Sequence, residues 1–378
     1  MINKLATFIA ITGLLIVAPI TEANDRPEHA IAITKINDQV YVLKPVRGMG
    51  SNVGVVVAED GLLLIDAMNI QPGVDKFLAK TLKKISDKPV KFVINTHSHR
   101  DHTGANKYFS DKGATIISQE NIKFAKFDGP NPLLYPNQWL VNKKLTMTFG
   151  SEPIIAHAAI SHTYNDLIVY LPKSNLVFMG DNMGTNWGPN NSEQSPIVLN
   201  KILSNLRQDA KVVPGHGYIT TKKHLNQYSA NTTKWFSVIN QLNKKQLTPT
   251  QITKEPEFIQ LVEFFTGNID RAFGEDLKHT KRRIERTIDQ FPHKTYDTKN
   301  YKNYLGKHSL TNGEVIEIIA RDNFLYARID GDFIAELSPT SATRFDFLGW
   351  ENNEHIRFVL NNDNTVNHVK LHKPEPKE

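Results

Sequence analysis

The sequence predicts an α/β domain followed by a run of helices and a small antiparallel β domain. Three observations carry that prediction. Up to about residue 230, runs rich in Val, Ile and Leu alternate with stretches whose apolar residues recur at helical spacing, the pattern of strands and helices packed in layers. Residues 220 to 291 are amphipathic almost throughout. From Tyr304 onward short alternating runs return, now separated by hairpin signals instead of helices.

Taken in order, QVYVLKPV, NVGVVVAED and GLLLIDA read as three strands broken by turn residues. GVDKFLAKTLKKISD has helical spacing, with Phe77, Leu78, Leu82 and Ile85 on its apolar side. KFVINT is a buried type of strand and delivers the histidines at its end onto a loop. GANKYFSDKG is a short helix and ATIISQ another strand. Residues 126 to 141 read as an irregular, Pro-rich loop with exposed aromatics. LTMTFG, PIIAHA, DLIVYLP and NLVFMGD are four more strands, a helix near IVLNKILSNLR comes next, and KVVPGHG closes the series. EPEFIQLVEFF and TKRRIERTIDQF are helices whose apolar faces pack on the body. The polar stretch at 291–303 lacks helical period and reads as a linker. Beyond it, GEVIEIIARD, FLYARID, FIAELSP, RFDFLG and IRFVLN are strands, with turns at Asn312-Gly313, Asp330-Gly331 and Asn361-Asn362-Asp363. The expected division is a signal segment (1–23), a main α/β domain (24–235), a helical extension packed on it (236–291), a linker (292–303) and a small β domain (304–378).

The opening MINKLATFIAITGLLIVAPITEAND has the three parts of a secretory signal. Lys4 supplies the charge, Leu5 to Val17 the apolar run and Thr21-Glu22-Ala23 the cleavage site. It predicts a periplasmic or secreted protein, soluble after cleavage, because no later stretch is long and apolar enough to cross a membrane. Lys and Arg total 45 against 39 Asp and Glu, a net charge of +6. That excess is modest for 378 residues and does not argue for nucleic acid. The oligomeric state is not legible. The chain has no cysteine, which excludes disulfides, thiolate ligands and thiol nucleophiles and confines any metal site to His, Asp, Glu and water.

The stretch INTHSHRDHTGAN crowds His97, His99, Asp101 and His102 into six positions. In an extended loop, residues two apart point the same way, so His97 and His99 can grip one metal. Asp101 and His102 are adjacent and point differently, toward a second metal beside it. Two neighbouring ions each need about four or five ligands, counting shared oxygens. Further ligands must therefore lie downstream at strand ends or turns. His162 in SHTYND, Asp181 at the end of NLVFMGD and His216 in VVPGHG meet that requirement. His157, mid-strand in IIAHAAI, has no partner pattern and reads as structural.

THSHRDHTGAN, SHTYND, FMGD and VPGHG together resemble the metallo-β-lactamase superfamily of hydrolases, over roughly residues 32 to 235. The resemblance implies a four-layer αββα sandwich with a di-metal site, usually zinc, at one edge of the β layers. It implies that His97, His99 and His162 hold one metal, that Asp101, His102 and His216 hold the other, and that Asp181 bridges them. Asp66, in LLLIDA, matches the family's buried aspartate behind the site and would orient a ligand. Two Zn(2+) per chain are expected, with Fe or Mn as alternatives.

Di-metal chemistry of this kind points to hydrolysis of a small-molecule substrate by a metal-bridging hydroxide, with Asp101 beside the reacting oxygen. An ester, thioester, lactone or lactam is the expected bond. A β-lactamase proper is the alternative, although true β-lactamases of the family commonly lack a bridging aspartate and some use a cysteine. The full ligand set looks more like glyoxalase II, lactonases and broad exported hydrolases. A reading from another class is an envelope ligand-binding protein with a structural metal site. Tyr135, Trp139, Tyr164, Asn186 and Trp187 flank the motifs and are candidates for the substrate pocket, as is Asn165.

Overall fold

The computed structural model describes residues 31–46, 48–124, 132–159, 161–163, 165–192, 195–288, 298–311, 313–321, 324–329, 333–347 and 355–372. The expected signal segment, Tyr164, the turns at 312 and 330–331 and the first half of the expected linker lie outside them.

The first sheet runs in chain order: β1 (Ile31–Lys35), β2 (Val40–Pro45), β3 (Val53–Val57), β4 (Leu62–Ile65), β5 (Val90–Ile94), β6 (Thr115–Gln119) and β7 (Gln138–Val141). β1 to β4 form an antiparallel meander, and β4 to β7 are parallel. Parallel neighbours need crossovers. α1 (Val74–Leu82) supplies the first, and α2 (Arg100–Thr103) with α3 (Asn106–Ser110) the second. The second sheet holds β8 (Lys144–Phe149), β9 (Glu152–Ala159), β10 (Asp166–Leu171), β11 (Leu176–Phe178), β12 (Lys211–Val213) and β13 (Thr220–Thr221), in the order β13-β12-β11-β10-β9-β8. Its one parallel pair, β11 and β12, is joined through α4 (Ser195–Leu203).

Period-two alternation assigns the layers. In β4, Leu63 and Ile65 face the second sheet and pack with Leu167, Val169 and Leu171 of β10. Leu62 and Leu64 face the other way and pack with Leu78 and Leu82 of α1 and Phe109 of α3. In β12 Val213 joins the inter-sheet core while Val212 turns outward to the helices α5 (Lys222–Lys244), α7 (Pro256–Thr266) and α9 (Leu277–Ile288). The result is helix, sheet, sheet, helix. Between these helices, α6 (Pro249–Ile252) starts on a capping box, Thr248 with Gln251, and α7 ends where Gly267 takes φ 61°; α8 (Ile269–Phe273) begins on Asn268, which accepts from Arg271 N.

Two expectations change. Residues 138–141 are not loop but β7, the parallel edge strand beside β6. Four residues after a proline are too few to show a period. The boundary expected at 235/236 falls inside α5, which is continuous from Lys222 to Lys244, so the helical extension begins at Lys222.

The third sheet is an antiparallel meander of β14 (Gly306–Ser309), β15 (Val315–Arg321), β16 (Phe324–Ile329), β17 (Phe333–Pro339), β18 (Arg344–Phe347), β19 (His355–Leu360) and β20 (Val366–His372). Leu310 bridges Val369, which returns the first strand against the last. Ile316, Ile318, Leu325, Ala327, Phe345, Phe347, Ile356, Phe358 and Val369 fill its inner face, and Tyr304 packs among them. The polar β14 and β20, GKHS and VNHVKLH, carry little apolar signal in sequence. No helix among the described residues is long and apolar enough to cross a membrane.

Candidate metal centre

The strand ends build the site. β5 stops at Ile94 and the chain turns through Thr96 into His97 and His99. The motif does not stay extended: it closes into the single turn α2, which carries Asp101 and His102, and His102 N donates to the His99 carbonyl at 3.0 Å. His162 lies in the turn before β10, Asp181 in the 3-10 turn after β11, and His216 after β12, where it bridges Gly184. Asp66 comes directly after β4, with φ 65°.

These turns bring the side chains into two overlapping groups. Ligand atoms of His97, His99, His162 and Asp181 lie within 4.8 Å of one another, as do those of Asp101, His102, Asp181 and His216. Asp181 belongs to both. Its Oδ1 is 3.2 Å from His102 Nε2 and 3.3 Å from His216 Nε2, and its Oδ2 is 3.7 Å from His162 Nε2. Asp101 Oδ2 lies 3.0 Å from His216 Nε2.

Hydrogen bonds at the back of each ring decide which nitrogen faces forward. His102 Nδ1 is 2.8 Å from Asp66 Oδ2, and the carboxylate also accepts from Thr96 N and Thr96 Oγ1. His162 Nδ1 donates to the Asn190 carbonyl at 2.8 Å. His97 Nδ1 is 3.2 Å from Thr96 Oγ1, whose own proton goes to Asp66. In each case a proton sits on Nδ1 and Nε2 faces into the site. Nε2 of His97, His102 and His216, with Asp181 Oδ1, is buried and lacks a hydrogen-bond partner of proper alignment. His162 Nε2 stands 3.1 Å from His99 Nδ1, two lone pairs facing each other unless a proton or a cation intervenes. Convergent, orphaned nitrogens around carboxylate oxygens fit a pair of divalent cations with N/O ligands.

The electrostatics agree. Burial, helped by the neighbouring imidazoles, holds His97 well below the usual imidazole value, and burial takes His162 down to about 4, so both are neutral and free to ligate. Burial pushes Asp101 up, but the close approach of His216 and the charge of His102 outweigh it and bring it to about 2. Asp181 is likewise depressed, burial being overcome by His216 and His102. His102 runs the other way: burial pulls it down, and Asp66 and Asp181 hold it well above the usual value. A cation at its Nε2 has to displace that proton.

The support of this cluster is also built in. Asp166 accepts from the backbone N–H of His162 at 2.7 Å and of Thr163, fixing the turn that presents His162. Burial raises its pKa to about 6. Asn165, a pocket candidate in sequence, is buried instead as a strut: its Oδ1 accepts from Ser98 N and its Nδ2 donates to Ser98 Oγ. Asn52 donates from Nδ2 to the Pro214 carbonyl at 2.9 Å and anchors the turn of His216. A Cβ on Gly215 would stand 2.1 Å from Asp181 Oδ1. Gly215→Ala is therefore expected to displace Asp181 and lower bound metal by about tenfold or more in affinity, with secondary structure unchanged by circular dichroism; full metal binding by the variant would reject the close-approach argument.

Among the aromatic candidates, Trp187 is at the centre, its ring 4.4 Å from that of His216. Asn186 shares that loop with an unpartnered Oδ1. Tyr135 packs instead with the outer core of Ala105 and Phe109, and Trp139 lies 44% exposed on the edge strand β7. His157, structural by its sequence pattern, pairs within the second sheet with Ile168 and Lys144. Sequence reasoning missed Thr96, Asn190, Tyr228, Arg283 and Arg286. Tyr228 comes from α5, and Arg283 and Arg286 come from α9. On an amphipathic helix they read as a solvated face.

Residues 46–216 match the family model of the metallo-beta-lactamase superfamily. The chain is 29% identical over 147 residues to metallo-beta-lactamase IND-1 of Chryseobacterium indologenes; the match covers 37% of this chain and 60% of that protein, less than two thirds of its length. It is 22% identical over 242 residues to a probable hydroxyacylglutathione hydrolase of Schizosaccharomyces pombe, covering 61% of this chain and 82% of that protein. Among solved structures, a metallo-beta-lactamase from Pontibacter korlensis is 21% identical, with a TM-score of 0.45, over 53% of this chain and 100% of that one.

Proposed function

The chain belongs to the metallo-β-lactamase superfamily of metal-dependent hydrolases through residues 46–216, and on that premise we propose that it is an exported di-zinc hydrolase cleaving an ester, thioester, lactone or lactam bond of a small molecule. The observation that carries this reading is the convergence of the seven predicted side chains into two groups that share Asp181. Export rests on the signal pattern at 1–23 and gives a periplasmic or secreted protein. Relatives named as metallo-beta-lactamases and as a hydroxyacylglutathione hydrolase both match, which supports an acyl bond as the target class.

His97, His99 and His162 would hold the first ion; Asp101, His102 and His216 the second; Asp181 both. Bound there, such ions would lower the pKa of a water and polarise the carbonyl of the substrate. The protein's own groups do the rest. Asp66 keeps the proton of His102 on Nδ1 and so keeps Nε2 available. Asn190 does the same for His162. Asp101, at about 2, is a carboxylate at neutral pH; an oxygen of it not taken by the ion would orient the attacking water by accepting a hydrogen bond. Trp187 packs against the His216 ring on that side of the centre.

Metal analysis coupled to an activity screen tests the reading. Mature protein should carry close to two zinc ions per chain and turn over at least one of a lactone, a thioester, an ester and a β-lactam. Chelation should abolish that turnover and added zinc restore it. Turnover that persists in metal-free protein would sink the proposal, and turnover of the β-lactam alone would select the β-lactamase reading.

A further inference from the structure

The third sheet supplies none of the seven ligands, and the outer face of its last three strands has a charge pattern of its own. β17 packs on the 3-10 turn Glu120–Phe124 that follows β6, and Ser338 of β17 is buried. β18, β19 and β20 continue the sheet beyond that contact. Phe345, Phe347, Ile356, Phe358 and Val369 fill the inner face. By period two, Arg344, Asp346, His355, Arg357, Lys370 and His372 therefore share the outer one.

The register lines these residues up. Arg344 stands opposite Arg357, and Arg357 opposite Lys370; in the next row Asp346 stands opposite His355, and His355 opposite His372. Three strong cations thus lie side by side, although like charges directly opposite one another weaken a sheet. Asp346 answers only the first, accepting from Arg344 Nε at 2.9 Å. Arg357 and Lys370 are exposed, and among the described residues no carboxylate lies within ion-pair distance of either. The His355 and His372 rings stack, with centres 4.6 Å apart and planes 5° from parallel. Composition does not explain the cluster. Residues 304–378 hold 8 Lys and Arg against 12 Asp and Glu, yet Asp346 is the one carboxylate within the described strands β18, β19 and β20. With strands about 4.8 Å apart and a rise of about 3.4 Å per residue, the block measures about 10 Å by 7 Å.

Its shape narrows the choice of partner. The sheet curls round its core until Leu310 meets Val369, so the block lies on a convex surface. A convex face cannot enclose a single small anion. No Phe, Tyr or Trp stands on this face of the three strands, so it offers no stacking platform to a nucleic-acid strand. What it matches is a plane of anions. We propose that this face docks the protein on a bilayer rich in anionic phospholipid, with Arg357 and Lys370 meeting the headgroup phosphates. The docking is peripheral and independent of the hydrolase activity.

Cosedimentation with lipid vesicles tests it. Protein without residues 1–23 is used, because that apolar run would bind lipid by itself. Vesicles of phosphatidylcholine are compared with vesicles of phosphatidylcholine and phosphatidylglycerol in equal parts. A basic residue at an anionic surface strengthens partition by about fivefold, so the wild type should prefer the mixed vesicles by about twentyfold or more. Added salt should weaken the preference. Arg357→Gln/Lys370→Gln should remove it, with zinc content and circular dichroism as in the wild type. Arg357→Lys, which keeps the charge, should keep it. Lys76→Gln/Lys80→Gln, which removes two exposed cations from α1, should keep it too. Equal binding to both vesicles overturns the inference, as does an undiminished preference in the Arg357→Gln/Lys370→Gln variant. So does an equal loss in the α1 variant, which would reduce the effect to net charge. Loss of zinc or of folding in Arg357→Gln/Lys370→Gln, or of the preference in Arg357→Lys, would also overturn it by giving these residues a structural role. Binding to soluble polyphosphate as tight as to the mixed vesicles would replace the bilayer with an anionic polymer.

Discussion

Asp181→Asn is expected to keep the fold, to bind no more than one zinc per chain, and to lose turnover by at least about a hundredfold. Two facts set that size. Asp181 is common to both groups, with Oδ1 toward His102 and His216 and Oδ2 toward His162. Its charge is also enforced, since His216 and His102 overcome its burial and keep it ionised. An amide has nearly the same shape but offers one neutral acceptor in place of two anionic ones. Losing a hydrogen-bonded supporter of a ligand typically costs ten- to a hundredfold in metal affinity, and a shared ligand costs more. Metal content by mass spectrometry and turnover on the best substrate of the panel give the answer. A variant with two zinc ions and near-native rates would remove Asp181 from the centre.

Trp235→Ala is expected to destabilise the protein by about 3–5 kcal/mol, the usual range for truncating a large aromatic in a core. Trp235 is 1% exposed and packs on Phe258 and Phe265 of α7. Its Nε1 donates to Thr287 Oγ1 at 2.9 Å, tying α5 to α9. Against its far side lies Gly188, where an added Cβ would come within 2.9 Å of the ring. One side chain thus joins three helical segments and the loop that carries Trp187 and Asn190. Trp235→Phe keeps most of the ring area but strands the Thr287 contact, and about 1 kcal/mol is expected. Urea denaturation measures both, and a loss below about 1 kcal/mol for Trp235→Ala would show that the helices do not depend on this contact.

The helical extension is therefore more than cover for the second sheet. Its apolar face forms a core with α4 and the outer residues of the sheet. Arg283, Arg286 and Tyr228 emerge at the end of that core nearest the loop 182–192.

The sequence by itself determined the layering and the composition of the centre. Leu62 to Ile65 and Leu167 to Leu171 are apolar without interruption, as strands buried on both faces must be. His97, His99, Asp101, His102, His162, Asp181 and His216 all sit where an apolar run meets turn residues, so their presence at strand ends was legible one motif at a time. Asp66 was legible as the last residue of such a run. Tertiary structure decided the rest. Nothing local says that the turn of α2 would form inside the histidine motif, and the sharing of Asp181 was expected only from the resemblance, not from its own surroundings in the chain. Nothing local marks Tyr135 as outer core, Asn165 as a strut or Asn190 as the acceptor behind His162. Arg283 and Arg286 are the clearest case. On α9 they are two cations among several, and periodicity separates only apolar from polar faces. Which cation is solvated and which is turned toward a cluster of ligands depends on where distant parts of the chain return in space.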